Sequence, residues 1–323
     1  MSKATVTEKS VERAADKAAT MKVVNFMGLR KIATVLSLLL VIASLTSIAT
    51  QGIKFGLDFT GGTQIEVGYS DVEPLENIRA TIANAGYRNA VVVQFGSETD
   101  ILVRLPDGYS DTLGAELIAV LQNDFAGEID LRRVEFVGPQ VGDELKEQGG
   151  LAVLMALIVV MIYIAFRFQF KFSVAAVVGL VHDVIITLGV FSLLQLDFDL
   201  TVMAALLAVI GYSLNDTIVV ADRIRENFRK LRKSDPEQVI NISLTETLDR
   251  TLVTSLTTIL VLVALFVFGG EMIHGFATAL IVGIVVGTYS SVYVAASLLM
   301  LMDITKADLI APVKEGSEVN DLP

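Results

Sequence analysis

Six long apolar segments constrain this chain more than any other feature of its sequence. The first runs from Ile32 to Thr50 without a charged residue. Five more follow, at about 149–168, 172–194, 200–221, 252–269 and 274–302. A membrane-spanning helix requires about 20 mostly apolar residues. The pattern therefore predicts an α-helical polytopic membrane protein with six transmembrane helices. A cleaved signal peptide is the alternative for the first segment, but the long polar tail before it and the later spans favour a retained helix.

Lysine and arginine are distributed unevenly between the connections. They cluster at 167–171 and 223–250, whereas 195–199 and 269–274 contain neither. Connections rich in these residues stay in the cytoplasm, which puts both termini there. The predicted order is a cytoplasmic tail (1–31), transmembrane helix 1 (32–50), a domain on the opposite, periplasmic side (51–148), transmembrane helices 2 to 6 (149–302) and a cytoplasmic C-terminal tail (303–323).

The segment 51–148 carries 17 acidic and 7 basic residues, which accounts for a net charge of −10 out of −11 for the chain. Recognition of phosphates requires a surplus of lysine and arginine, so nucleic acid is not an expected partner. Apolar alternation and turn residues predict a β-α-β-β-α-β order, which is a small ferredoxin-like α+β domain. Its elements are strand Thr63–Ser70, a helix from Pro74 to about Gly86, strands Ala90–Phe95 and Asp100–Leu105, helix Asp111–Phe125 and strand Glu128–Val137.

Ionisable side chains inside a membrane are costly and mark candidate functional sites. Asp183 lies near the middle of the third span beside His182, and Asp216 lies in the fourth span after Asn215. Asp183 and His182 fit two interpretations, a hydrogen-bonded packing pair or a functional pair. Arg250, at the predicted cytoplasmic start of the fifth span, is either an interfacial residue or a partner of Asp216. A guanidinium beside a buried carboxylate favours its ionised form, so protonation would release the pair.

Small residues repeat every fourth position along three of the spans. Such repeats allow close helix contact in lipid, and they predict that both aspartates point into the bundle. The three ladders are Ala175, Gly179, Asp183 and Thr187; Ala204, Ala208, Tyr212 and Asp216; and Gly283, Gly287, Ser291 and Ala295.

The sequence offers little support for an enzyme. It contains no cysteine, which excludes disulfides and thiolate chemistry. The glycine-rich segment 56–62 lacks the Gly-Lys-Ser/Thr ending of a phosphate-binding loop, and neither histidine has a metal-binding spacing. No cofactor is expected. Proteolysis by Asp183 and Asp216 is disfavoured because their depths differ and an aspartate dyad needs near contact.

Five segments together resemble the SecF members of the SecD/SecF family, within the resistance-nodulation-division superfamily. They are GLDFTGG at 56–62, FVGP at 136–139, HDVIITLG at 182–189, GYSLNDTIVVADRIRENFR at 211–229 and TLDRTLVTS at 247–255. Each alone is a weak motif, but their order relative to six spans is specific, and the likeness covers almost the whole chain after about residue 20.

This resemblance implies a function that the residues alone do not reveal. Family members pair with SecD in the bacterial inner membrane, associate with the SecYEG channel, YajC and YidC, and use the proton-motive force to assist preprotein translocation. The family's proton-conducting aspartate and arginine correspond to Asp216 and Arg250. Protonation of Asp216 would then loosen its pairing with Arg250 and move the periplasmic domains. The expected partners are SecD, SecYEG, YajC, YidC, the preprotein and membrane lipids.

Two other functions remain open. A small-molecule exporter of the same superfamily would need a substrate pocket and twelve spans, whereas this chain has six. An assembly factor without transport activity would explain the small-residue ladders but not an aspartate such as Asp216 within the membrane.

Overall fold

The chain folds into a bundle of long helices that carries one small sheet domain. The structure, a computed structural model, describes residues 23–105, 112–167, 170–231 and 234–304. Most of both predicted cytoplasmic tails therefore lies outside the described residues. In chain order, the elements are helix α1 (Arg30–Gln51), short helix α2 (Leu57–Thr60), strand β1 (Gly62–Tyr69), helix α3 (Leu75–Asn84), strands β2 (Val91–Phe95) and β3 (Ser97–Leu105), helix α4 (Leu113–Asp124), strand β4 (Ile129–Val137), and helices α5 (Pro139–Arg167), α6 (Phe170–Leu194), α7 (Leu200–Lys230), α8 (Pro236–Phe268) and α9 (Glu271–Leu301).

Six of these helices, α1 and α5 to α9, are long and apolar enough to cross a membrane. The predicted six-helix membrane fold is thereby confirmed. Helix α7 begins where the Asp199 side chain accepts a hydrogen bond from the Val202 amide at 2.8 Å. Helix α8 begins with Pro236, whose missing N–H has no partner to lose in the first turn. Both helices extend past the predicted spans, to Lys230 and from Pro236.

Burial separates the bundle into a centre and a periphery. About 61% of the most apolar stretch of α6 is buried, followed by 50% for α9 and 44% for α7. The corresponding fractions are 11% for α5, 17% for α8 and 22% for α1. Helices α6, α7 and α9 therefore form the centre, and these are the helices on which the small-residue ladders were predicted.

Two of the three ladders face the bundle interior along their whole length. All members of the α6 ladder and of the α9 ladder are buried. The α7 ladder was predicted incorrectly in part: Asp216 is buried, but Ala204 and Ala208 are exposed. The α6 and α9 ladders have the same four-residue spacing and remain buried, so the spacing alone does not determine which face of α7 is inside. The packing of neighbouring helices against α7 determines it.

The sheet domain has the predicted β-α-β-β-α-β order. Its four antiparallel strands lie in the order β2-β3-β1-β4, with Ile65 opposite Val103 in β3 and Val134 in β4. The residues predicted to share one face of β1, Ile65, Val67 and Tyr69, are all buried against helices α3 and α4. The ferredoxin-like prediction is therefore confirmed. The predicted helix start at Asp111 lies outside the described residues.

Candidate functional site: two buried aspartates in the helix bundle

Asp183 lies where α6, α7 and α9 meet, and both of its carboxylate oxygens have partners. Oδ2 accepts hydrogen bonds from Ser213 Oγ of α7 at 2.6 Å and from Ser290 Oγ of α9 at 2.8 Å. Oδ1 lies 2.9 Å from Nδ1 of His182. The side chain is fully buried. Because charge-assisted hydrogen bonds stabilise a buried carboxylate, Asp183 joins three helices through one side chain.

A glycine makes this approach possible. A Cβ atom added to Gly287 of α9 would lie 3.0 Å from Cβ of Ser213 and 3.5 Å from Oδ2 of Asp183. One turn away, a Cβ on Gly283 would lie only 2.2 Å from Cγ2 of Val209. The α9 ladder therefore brings the backbones of α7 and α9 close enough for the serine hydroxyls to reach Asp183.

His182 connects this joint to helix α1. Its ring stacks on Tyr289, with 6.3 Å between ring centroids, and the Tyr289 hydroxyl donates to the Ala33 carbonyl at 2.8 Å. Nε2 of His182 is buried and has no partner among the described residues. Of the two interpretations of the His182 and Asp183 pair, this geometry favours hydrogen-bonded packing, because most of the polar contacts hold helices together.

Asp216 is equally enclosed but differently surrounded. Its side chain lies in α7 and only 3% of the residue surface is exposed. Oδ2 is buried without a hydrogen-bond partner among the described residues. A charged carboxylate without hydrogen bonds is expensive to bury. Asp216 therefore lacks the stabilisation that Asp183 receives from its neighbours.

The polar contacts between α7 and α8 define which residues of these antiparallel helices face each other. Arg223 Nε donates to Glu246 Oε2 at 2.6 Å near the end of α7 that carries Lys230. Further along, the Tyr212 hydroxyl donates to Ser255 Oγ at 3.3 Å. The two contacts establish a steady antiparallel register along this helix pair.

This register sets the surroundings of Asp216. Asp216 lies one turn from Tyr212, and Thr251 lies one turn from Ser255, so Asp216 and Thr251 occupy the same level. Thr251 is also buried, and its hydroxyl also has no partner among the described residues. The contact between α7 and α8 therefore contains, at one level, two polar groups for which the described part of the chain supplies no hydrogen-bond partner.

Arg250 and Asn215 flank this level but face elsewhere. Both side chains are exposed, and in the described part of the chain no ion pair within 4.0 Å joins Arg250 to Asp216. The direct pair expected from the family resemblance is therefore not formed in this structure. Successive side chains differ by about 100° around a helix, so Arg250 points away from the interior where Thr251 points towards it.

The two aspartates lie at different depths, as the sequence indicates. Asp183 is level with Ser213, and Asp216 lies about 4.5 Å further along α7 at 1.5 Å per residue. Both oxygens of Asp183 are engaged by other side chains. This arrangement does not form the close carboxylate pair that an aspartic protease needs.

Several polar residues of the site were missed by reasoning from the sequence. Ser213 and Ser290 bind Asp183, Thr251 faces the level of Asp216, and Ser255 also contacts Thr288 Oγ1 at 2.8 Å. One signal was available for Ser213, which precedes Asp216 by three residues and therefore shares its face of α7. The contacts that cross between helices have no comparable signal in the sequence.

One large cavity among the described residues lies away from Asp216, which is not part of its lining. It has a volume of about 1020 Å³ and runs between α1, α6 and α9, with Arg30 and Lys31 near one end. Within the described residues, no group of histidines and carboxylates could hold a metal ion. The site around Asp216 can accept and release a proton, but the described side chains beside it include no assembled nucleophile and base.

Together these features define a class of protein: half of a resistance-nodulation-division type helix bundle, with one ferredoxin-like domain and buried aspartates. Two family models match the chain. "Protein export membrane protein SecD/SecF, C-terminal" covers residues 117–305, and "SecD/SecF GG Motif" covers residues 46–71. The chain belongs to the SecF family of protein translocase subunits.

Relatives and solved structures agree with this assignment. The chain is 50% identical over 307 residues to protein translocase subunit SecF of Vibrio alginolyticus, with 94% of this chain and 98% of the relative covered. It is 41% identical to the SecF of Escherichia coli O157:H7, with 92% and 94% covered. The crystal structure of the Thermus SecDF, described as a translocon-associated membrane protein, matches with a TM-score of 0.78 and 37% identity over 91% of this chain. The chain spans 41% of that SecDF chain.

Proposed function

We propose that this chain, paired with SecD, uses the proton-motive force to assist preprotein translocation through SecYEG on the periplasmic side. In this proposal the chain is a proton-driven accessory subunit in the bacterial inner membrane, with both termini in the cytoplasm. The uneven distribution of lysine and arginine supports this orientation. YajC and YidC are further partners that the family resemblance suggests.

One observation carries the proposal, which is the buried Asp216 carboxyl without a hydrogen-bond partner among the described residues. A carboxyl that gains or loses its charge in such a place changes the interaction energy of its surroundings strongly, because few dipoles compensate it. Asp183 differs because both of its carboxylate oxygens have hydrogen-bond partners, which compensate its burial. We therefore assign the proton-coupling step to Asp216, and a packing role to Asp183 and His182.

In this proposal Arg250, which is exposed on α8 one residue before Thr251, acts on Asp216 through its charge across a gap. Ionised Asp216 attracts this guanidinium, and the protonated acid does not. The attraction favours a closer approach of α7 and α8 in the ionised state and a looser contact in the protonated state. Asn215, Ala204 and Ala208 lie on the exposed side of α7, and in the complex this side is available to helices of SecD.

The proton-motive force is large enough for such a step. One elementary charge that crosses a potential of 100 mV releases about 2.3 kcal/mol. This energy changes a two-state equilibrium by roughly fiftyfold. A conformational bias of this size can move a small domain without nucleotide hydrolysis, which agrees with the absence of a phosphate-binding loop sequence around the glycine-rich segment 56–62.

The test is the completion of preprotein export in inverted membrane vesicles that contain this chain and SecD. Asp216→Asn keeps the shape of the side chain and removes its titration. We expect the force-dependent phase of export to disappear, while initiation by SecA and assembly with SecD remain. Asp183→Asn serves as the matched control, because it changes a carboxylate of similar burial. Unchanged export in Asp216→Asn would refute the proposal and favour an assembly factor.

A further inference from the structure

The segment between α1 and β1 is fixed to the connection between α6 and α7 by backbone hydrogen bonds. Gly56 N donates to the Phe198 carbonyl at 2.8 Å, and Phe198 N donates to the Lys54 carbonyl at 2.8 Å. Residues 54–59 and 197–200, which we call the elbow, thus pair like two short parallel strands. The elbow lies at the end of the bundle that carries the sheet domain.

Asp58 attaches the elbow to the start of helix α7. Its Oδ2 accepts a hydrogen bond from the amide of Leu200, the first residue of α7, at 3.0 Å. Amides in the first turn of a helix have no partner within the helix, and a carboxylate there also interacts favourably with the helix dipole. Asp199 already binds the amide of Val202. Asp58 therefore supplies a second cap from a distant part of the chain.

Asp197 attaches the elbow to the sheet. Its Oδ1 lies 2.7 Å from Lys54 Nζ, and its Oδ2 lies 2.7 Å from Arg104 Nη1 in strand β3. Arg104 also donates from Nε to Gln64 Oε1 in strand β1 at 3.2 Å. One carboxylate thus joins the α6–α7 connection, the segment after α1, and two neighbouring strands.

Aromatic packing makes the elbow stiff. Phe59 stacks on Phe198 with 5.8 Å between ring centroids, and Phe55 contacts both rings edge-on. Phe59 is 1% exposed. Gly142 of α5 packs against this turn so closely that a Cβ there would lie 2.7 Å from the Phe59 carbonyl oxygen. A tightly packed contact of this kind transmits displacement rather than absorbing it.

The elbow connects the sheet domain to α7, a helix that neither precedes nor follows the domain directly in the chain. The chain enters the domain from α1 and leaves it into α5, whereas Asp216 lies in α7. We propose that Asp58 and Asp197 are positioning residues that couple α7 to the sheet domain. A shift of α7 that accompanies a change in the charge of Asp216 then moves Leu200, Asp58 and the sheet together. This inference rests on the proposed function of Asp216.

Matched variants separate this coupling from general damage. Asp58→Ala removes the acceptor for Leu200 N, whereas Asp58→Asn retains one. Arg104→Gln removes the ion pair with Asp197, whereas Arg133→Gln removes an ion pair with Glu135 on exposed side chains of strand β4. We expect Asp58→Ala and Arg104→Gln each to reduce force-dependent export about fivefold. Asp58→Asn and Arg133→Gln should change it less than about twofold.

The distance between the sheet domain and the bundle can be measured directly. A purely structural role of the elbow would not make this distance depend on Asp216. The chain has no cysteine, so spin labels at Asn123→Cys in α4 and Leu194→Cys in α6, both exposed, report the position of the domain. With a cysteine-free SecD in lipid, we expect Asp216→Asn to shift the distance distribution when the elbow is intact. In the Asp58→Ala and Arg104→Gln variants, the distribution should broaden and become independent of Asp216→Asn.

The outcomes are distinguishable. If Asp216→Asn abolishes force-dependent export but both elbow variants retain export and the distance shift, the elbow does not couple α7 to the domain and this inference is overturned. If Asp216→Asn has no effect on export, the proposed function fails and the inference falls with it. If Asp58→Ala does not assemble with SecD, the ion-pair variant Arg104→Gln decides alone.

Discussion

Asp183 and Asp216 occupy neighbouring levels of one helix bundle, yet their surroundings are opposite. Asp183 accepts hydrogen bonds from two serines on other helices and contacts His182, whereas Asp216 has a buried oxygen with no partner among the described residues. Both residues are nearly or fully buried. Burial alone therefore does not distinguish these two carboxylates. Their hydrogen-bond donors do, because the donors determine what a change of charge at each carboxylate would disturb.

The largest expected difference between the two aspartates concerns proton flux. In proteoliposomes that contain this chain with SecD, Asp216→Asn should abolish proton movement driven by a membrane potential, because no titratable group remains at that level of α7. Asp183→Asn should retain most of it. A pH-sensitive dye enclosed in the vesicles measures the flux. Equal flux in both variants would remove the functional distinction between the two residues.

The free energy of unfolding should depend more on Asp183 than on Asp216, the reverse of the order expected for proton flux. Asp183→Leu removes the acceptor of the Ser213 hydroxyl and leaves the Ser290 hydroxyl its longer contact with the Gly287 carbonyl at 3.2 Å. It should destabilise the bundle by about 3 kcal/mol. Asp216→Leu removes no hydrogen bond within the described structure and should change stability by less than about 1 kcal/mol. Equilibrium unfolding in mixed micelles compares the two. A larger loss for Asp216→Leu would contradict our assignment of the packing role.

The close approach of α9 can be tested without touching either aspartate. An alanine methyl at Gly283 would lie 2.2 Å from Val209 Cγ2, whereas a methyl at Gly211 would meet no atom within 4 Å. We expect Gly283→Ala to destabilise the bundle by about 2 kcal/mol through overpacking, and Gly211→Ala to be nearly neutral. The same unfolding assay compares the two variants. Similar free energies of unfolding would show that α9 can move away from Val209 without a measurable loss of stability.

Two hydroxyl residues sharpen the comparison further. Ser213→Ala removes a hydrogen bond to Asp183 and should lower stability by about 1 kcal/mol. Thr251→Val removes a buried hydroxyl without a partner among the described residues and should leave stability unchanged or slightly increased. If Thr251→Val were the more harmful change in the unfolding assay, the interpretation of the Thr251 hydroxyl as an unpaired buried group would be wrong.

The smallest effect concerns Tyr69, a buried titratable group outside the membrane. Burial raises the pKa of the Tyr69 phenol, and the negative charge of Glu73 raises it further. The neutral phenol therefore stabilises the domain below the pKa of an unfolded tyrosine, about 10, and this contribution is lost as the pH rises through the folded value. Tyr69→Phe should leave stability at pH 7 nearly unchanged and reduce the loss above pH 10. Absorbance of the phenolate follows the titration, and an ordinary pKa for Tyr69 would contradict the prediction.

Much of the fold could be predicted because its signals are local. Apolar runs of sufficient length identify six helices, and the alternation of Ile65, Val67 and Tyr69 identifies the buried face of β1. The α7 ladder was predicted incorrectly beyond Asp216, since Ala204 and Ala208 are exposed. The α6 and α9 ladders have the same spacing and are buried throughout, so only packing against neighbouring helices shows which part of such a repeat remains inside.

The sequence by itself determined the membrane class, the ferredoxin-like domain, and the presence of costly aspartates at positions 183 and 216, because helix length, periodicity and charge within apolar segments are properties of nearby residues. Only the tertiary structure decided which aspartate has partners. The serines that bind Asp183 come from α7 and α9, and Asp58 reaches α7 across more than a hundred residues of chain. Hydrogen bonds between distant segments depend on how helices pack, and helical spacing within one segment does not encode that.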